Sequence, residues 1–248
     1  MIADAAANFC LSAIAQRPRF ARSCAMDFMK WINSLDELLY EIMSWLLFFP
    51  LTLWRCVRHP FAMMDYADEQ LTRPENEQYA AALSPPLFLA IALLIAHAFS
   101  MALGQIDRIV ANRHGLAGLV DDEASALILR LVVFASFALF AATRMVRKSG
   151  LAIDRTSLRA PFYAQCYPTA IFALGLGLGV SLANVAYPAA AVASPILIGA
   201  STLNYVIVET RWFAMKLETG YLPALGAVLL TLIEGFTLLL IVGFLFTR

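Results

Sequence analysis

Residues 222–246 read LPALGAVLLTLIEGFTLLLIVGFLF, with Glu234 as the one charged side chain. A bilayer core is crossed by about 20 mostly apolar residues in a helix. In lipid only a helix or a closed barrel satisfies the backbone, and this run shows no period-2 alternation. It therefore predicts a membrane-spanning helix. Four further runs of the same kind lie upstream, at Leu87–Gly104, Ala124–Thr143, Tyr163–Ala183 and Pro188–Val208. The chain is expected to be an all-α polytopic membrane protein with five transmembrane helices and an N-terminal interfacial helix. Its transmembrane domain is residues 87–248.

Composition agrees. Hydrophobic residues make up 61% of the chain and charged residues 15%, against roughly 45–50% and about 25% in soluble domains. Lys and Arg divide by side. Arg17, Arg19, Arg22, Lys30, Arg55, Arg58 and Arg73 precede the first of the five runs. Arg144, Arg147, Lys148, Arg155 and Arg159 follow the second, and Arg211 and Lys216 follow the fourth. The other side carries Arg108, Arg113 and Arg248. Basic loops stay cytoplasmic, so the N-terminus is expected inside and Arg248 outside. With charges split by side, the net charge of zero gives no sign of a nucleic-acid partner; the implied partner is the lipid bilayer.

The N-terminal third is different. Residues 1–33 read as a flexible basic tail. Residues 34–86 read as a cytoplasmic or interfacial amphipathic region. Ser34 and Glu37 have capping-box spacing. The apolar run Ile42–Trp54 is about 13 residues, short for a span. Trp45, Trp54, Arg55 and Arg58 suit the headgroup level. The expectation is an interfacial or re-entrant helix broken near Pro50, with a sixth span as the alternative. Residues 65–79 are polar and read as a connection with room for a short helix.

No phosphate-binding, zinc-protease or nucleophile-elbow motif occurs. Cys10, Cys24, Cys56 and Cys166 form no C-x-x-C pair, which points to reduced thiols. The reading is no enzyme, no cofactor and no metal. Function, if it is transport, falls on intramembrane polar residues, which are costly in lipid. Glu234 is the sharpest of these. Ala227, Thr231 and Glu234 follow i, i+4, i+7 spacing and predict a polar stripe that faces inward. His97 and Arg130 are the candidate partners of Glu234. Asn204, on a helix broken by Pro195 and Gly199, needs a hydrogen-bond partner. Gly175 and Gly179 give close helix packing, either within the chain or in a homo-oligomer. Asp121, Asp122 and Glu123 favour the positive end of the second span.

The arrangement resembles the Yip1-type, permease-like small bacterial integral membrane proteins, over roughly residues 55–246. The carriers are Arg58-His59-Pro60-Phe61, the proline pair Pro85-Pro86, the five spans and Leu217-Glu218-Thr219-Gly220. The resemblance implies membrane organisation or binding of a partner protein or lipid. Glu234 maps onto no motif of that family and points instead to a conduit for an ion or small solute, with proton linkage as one form of it. The inner membrane of a bacterium is the expected location.

Overall fold

Proline opens three of the helices and glycine lets several pack closely, and these residues shape the bundle. A computed structural model describes residues 36–74, 77–105 and 123–247. Among the described residues all regular structure is helical: α1 Asp36–Arg58, α2 Pro60–Gln70, α3 Pro85–Ala102, α4 Glu123–Lys148, α5 Arg155–Ala183, α6 Pro188–Lys216 and α7 Tyr221–Thr247. All except α2 are long and apolar enough to cross a membrane. The protein is a multi-pass, all-helical membrane protein, as its sequence predicts. The expected basic tail, with Cys10, Cys24 and Ser34, and the stretch from Asp121 to Asp122 lie outside the described residues.

The chain divides into a first unit ending at Leu47 and a second from Phe48 to Arg248. In the first unit, residues 36–47 are helical, and Ser44 Oγ donates to the Glu41 carbonyl at 2.7 Å. The second unit holds the bundle.

Three expectations change. α1 is not broken near Pro50: it runs 23 residues without a break, roughly 35 Å at 1.5 Å per residue. A proline removes one backbone donor, but an apolar helix continues through it when neighbours re-satisfy the freed group. Pro161, Pro168 and Pro195 sit inside helices in the same way. Hence residues 34–57 are not too short to span, although α1 has the lowest mean hydropathy of the six long helices, 1.2. α4, α5 and α6 also run several residues past the predicted spans at their basic ends. Asp154 extends α5 by a capping box: its carboxylate accepts from Thr156 N at 2.8 Å and Ser157 N at 2.7 Å. Those bonds, the Ser157 amide first, hold the Asp154 carboxyl below its ordinary range.

α5 is the hub, packed by α2, α3, α4 and α6, while α7 lies against α4 and α6. Small residues make the hub possible. A Cβ at Gly175 would lie 2.5 Å from Ser201 Cβ, and one at Gly179 would lie 2.5 Å from Ile198 Cγ1. The glycine stripe is thus filled by α6 of the same chain, which leaves it no surface for a second copy.

The loop before α3 is pinned. Thr52 Oγ1 accepts from Leu83 N at 3.2 Å and Tyr167 OH donates to the Leu83 carbonyl at 2.8 Å. Arg55 Nη1 donates to the Ala81 carbonyl at 2.9 Å. Lys216 clamps α2 by donating to Asp65 at 3.0 Å and Asp68 at 3.2 Å. This end of the bundle, marked by α2 and the basic loops, is the α2 end below; the opposite one is the far end.

Candidate functional site

Helix direction sorts the polar residues by depth. α3, α5 and α7 start at the α2 end, and α4 and α6 start at the far end, so sequence position fixes level within the bundle.

Toward the far end, α3 and α4 bring His97, Arg130 and Glu123 together. Arg130 Nη1 lies 3.1 Å from His97 Nδ1, and His97 Nε2 lies 3.1 Å from a Glu123 carboxylate oxygen. Arginine only donates and stays charged. His97 Nδ1 must therefore accept, which puts the ring proton on Nε2, toward Glu123. The angle at Glu123 falls short of a hydrogen bond, so that contact is electrostatic. His97 is buried. A second proton on the ring would set two donors, at His97 and Arg130, against each other.

Below this group lies an aromatic layer. Phe137 and Phe172 have ring centroids 5.7 Å apart, Phe236 stands edge-on to Phe137 at 5.7 Å, and Phe172 meets Tyr205 at 5.0 Å. Phe137 and Phe172 are fully buried. Such a layer is dry, with aromatic contacts worth about 0.5–1.5 kcal/mol each beyond area burial.

Beneath the layer, toward the α2 end, α5 and α6 face each other with polar side chains at two i, i+4 pairs. Gln165 and Thr169 come from α5, Tyr205 and Glu209 from α6, and none is more than 1% exposed. The Glu209 carboxylate, the Gln165 amide, Thr169 Oγ1 and Tyr205 OH make no hydrogen bond of acceptable geometry among the described residues. A cavity of about 190 Å³ lies further toward the α2 end, lined by Asp68, Ala164, Trp212 and Lys216 among others and by none of the four. Burial raises the Asp68 carboxyl at its rim, opposed by the Lys216 ammonium.

The sequence offers His97 and Arg130 as candidate partners of Glu234; in the structure they meet each other. It does not bring Glu234 to them. Glu234 pairs with Arg144 instead, on the outer surface between α7 and α4, and its side chain is 48% exposed. Nor does Glu234 share an inward stripe with Thr231. Thr231 is buried and donates to the Ala227 carbonyl at 3.1 Å. The reason is Gly235. It presses against the Phe137 ring, where any Cβ would collide, and this fixes the face that α7 turns to α4. Glu234, one residue back, falls at the rim of that face. Helical side chains lean toward the helix N-terminus, so Arg144 reaches back along α4 to meet it.

Asn204 is half-buried and lines a void of about 10 Å³ with Tyr167, Pro168 and Val208. Pro195 and Gly199 are exposed on α6. Trp54 is exposed and carries the Arg58 guanidinium 5.5 Å above its ring. Cys56 and Cys166 are free and buried.

No family model, curated protein or solved structure matches this chain. Function must be argued from its own geometry. Glu209 was passed over in the sequence because it sits beside Arg211 near the end of a span, where a charge reads as a solvated flank. Its signal was the spacing of Tyr205 to Glu209 against Gln165 to Thr169, two polar i, i+4 pairs on neighbouring spans.

Proposed function

We propose that the protein is a permease-like conduit for an ion or small solute, with passage linked to protonation of the group at His97. The observation that carries this reading is the sequence of layers: a buried ionisable group, a buried aromatic layer and a second buried polar group, with a cavity further toward the α2 end. Buried ionisable residues in a span are costly and mark transport pathways, and hydrophobic constrictions gate by excluding water. Phe137 and Phe172 are the gate in this reading, and the conformation described is closed. Protonation of His97 turns its Nδ1 into a donor and expels Arg130, which is how a proton would alter the far-end group. No step of this kind needs an enzyme's nucleophile or a cofactor.

The test is flux. Reconstituted protein should acidify vesicles faster than protein-free liposomes do, and Phe172→Ala should raise the leak by thinning the dry layer. Equal rates in all three preparations would remove the conduit.

We place the α2 end in the cytoplasm of a bacterial cell, at the inner membrane, because the basic loops gather there. Arg248 is then outside and Cys10 inside, which has α1 lying at the interface with Trp54 and Arg58 at headgroup level. An impermeant maleimide on intact cells should label a cysteine placed at Arg248 and spare Cys10. Labelling of Cys10 would instead make α1 a sixth span.

A second reading follows the resemblance to Yip1-type proteins: a non-catalytic scaffold that binds lipid or a partner protein. Its support is the exposed Trp54 with Arg58 stacked on it, a pair suited to anionic headgroups. Normal membrane localisation without any flux would favour it.

A further inference from the structure

We propose that Gln165, Thr169, Tyr205 and Glu209 form a binding site for one dehydrated alkali cation, reached from the cavity at the α2 end. The proposal deepens the conduit reading by naming the class of ion, and it rests on that reading only for transport.

Glu209 is the carboxylate at the centre of a fully buried contact between α5 and α6. Its neighbours are neutral: Gln165 lies beside it on α5, and the Tyr205 hydroxyl sits next to both Glu209 and Thr169. The nearest cations are engaged elsewhere. Lys216 is held by Asp65 and Asp68 and lies 4.5 Å above the Trp212 ring, and Arg211 lies 5.1 Å above the Phe61 ring. Among the described residues no Lys, Arg or His makes an ion pair with Glu209. An ionised carboxylate in such a place needs a counter-charge.

Gln165 Oε1 and Nε2, Thr169 Oγ1, Tyr205 OH and both Glu209 oxygens are buried atoms without a hydrogen-bond partner of acceptable geometry. Five of these six are oxygens, the ligands that hard cations take. Pro168, inside α5, has no N–H to give the carbonyl four residues back, which is that of the buried Ala164, beside Gln165. One carboxylate balances one positive charge. A divalent ion would leave net charge in a dry site, and among the described residues no group of three His, Cys, Asp or Glu side chains is placed to compensate it.

Ala164 and Trp212 line the cavity, and they stand one residue from Gln165 and one helical turn from Glu209. An ion entering past Asp68 then has that turn of helix left to cross.

The test uses purified full-length protein in detergent, unfolded by heat in sodium, potassium or choline chloride at one ionic strength. Choline is too large for the site. Sodium or potassium should raise the unfolding midpoint saturably above its value in choline, because a ligand that binds only the folded state stabilises it. Glu209→Gln should abolish the difference, and Thr169→Val should weaken the half-saturating concentration roughly tenfold by removing one ligand. Equilibrium dialysis of radioactive sodium or potassium against the wild type gives the same answer without a variant, should Glu209→Gln fail to fold. Identical midpoints in the three salts together with no bound radioactive ion, or an undiminished salt effect in a folded Glu209→Gln protein, would overturn the site. Neither measurement involves flux. Binding without conduction removes the conduit and leaves the site; conduction without binding does the reverse.

Discussion

Replacing Arg144 with Ala should destabilise the protein by on the order of 2–3 kcal/mol, and a second change at Glu234 should restore most of the loss. Arg144 and Glu234 form an ion pair on the outer surface between α4 and α7. A lone charge at helix centre costs about 2.5–3.5 kcal/mol on insertion scales. Removing the guanidinium leaves the Glu234 carboxylate in that situation. The double variant Arg144→Ala/Glu234→Gln has no stranded charge and should lie close to the wild type. A double-mutant cycle on unfolding in detergent or bicelles reads the coupling directly. If the two single losses simply add, the pair does not hold α7 to α4. An Arg144→Ala protein as stable as the wild type would show the carboxylate to be neutral in the membrane.

Gly235→Leu should be the most damaging substitution in α7. A Cβ at Gly235 would collide with the Phe137 ring, and Phe137 is fully buried among Phe134, Phe172 and Phe236. The ring has nowhere to turn without disturbing the whole layer. Overpacking a filled core typically costs about 1–3 kcal/mol, and here the side chain also separates two helices. The change should lower the thermal midpoint and the yield of folded protein. Gly226→Leu is the control: a Cβ there meets nothing within 4 Å, so it should be tolerated. Equal tolerance at both positions would mean that α7 does not pack on α4 as described.

Both expectations concern α7, where the sequence was most and least informative. The span itself was legible because lipid imposes one rule on every backbone group, and an apolar run of that length has one structural solution. The facing of the helix was not. Ala227, Thr231 and Glu234 satisfy a period for one face, but so does the set containing Val228, Leu232 and Gly235. Nothing local says that Gly235 will seat an aromatic ring and push Glu234 to the rim. His97 and Arg130 were legible as polar residues within spans, but their meeting was not, because it depends on how α3 and α4 face each other. Glu209 was not, because a carboxylate two residues from an arginine looks like a helix flank; its burial depends on α6 running to Lys216, past the predicted end at Val208. The same is true of α1. Pro50 and the acidic residues Asp36, Glu37 and Glu41 shortened the apparent run, yet the helix passes through the proline.

The measurement that bears most directly on the conduit is proton-linked flux into vesicles holding the purified protein, with an entrapped pH dye. The wild type is expected to move protons faster than protein-free vesicles, and His97→Ala, which removes the ring between Arg130 and Glu123, should lower that rate. A wild-type rate equal to that of empty vesicles at every pH would contradict the account.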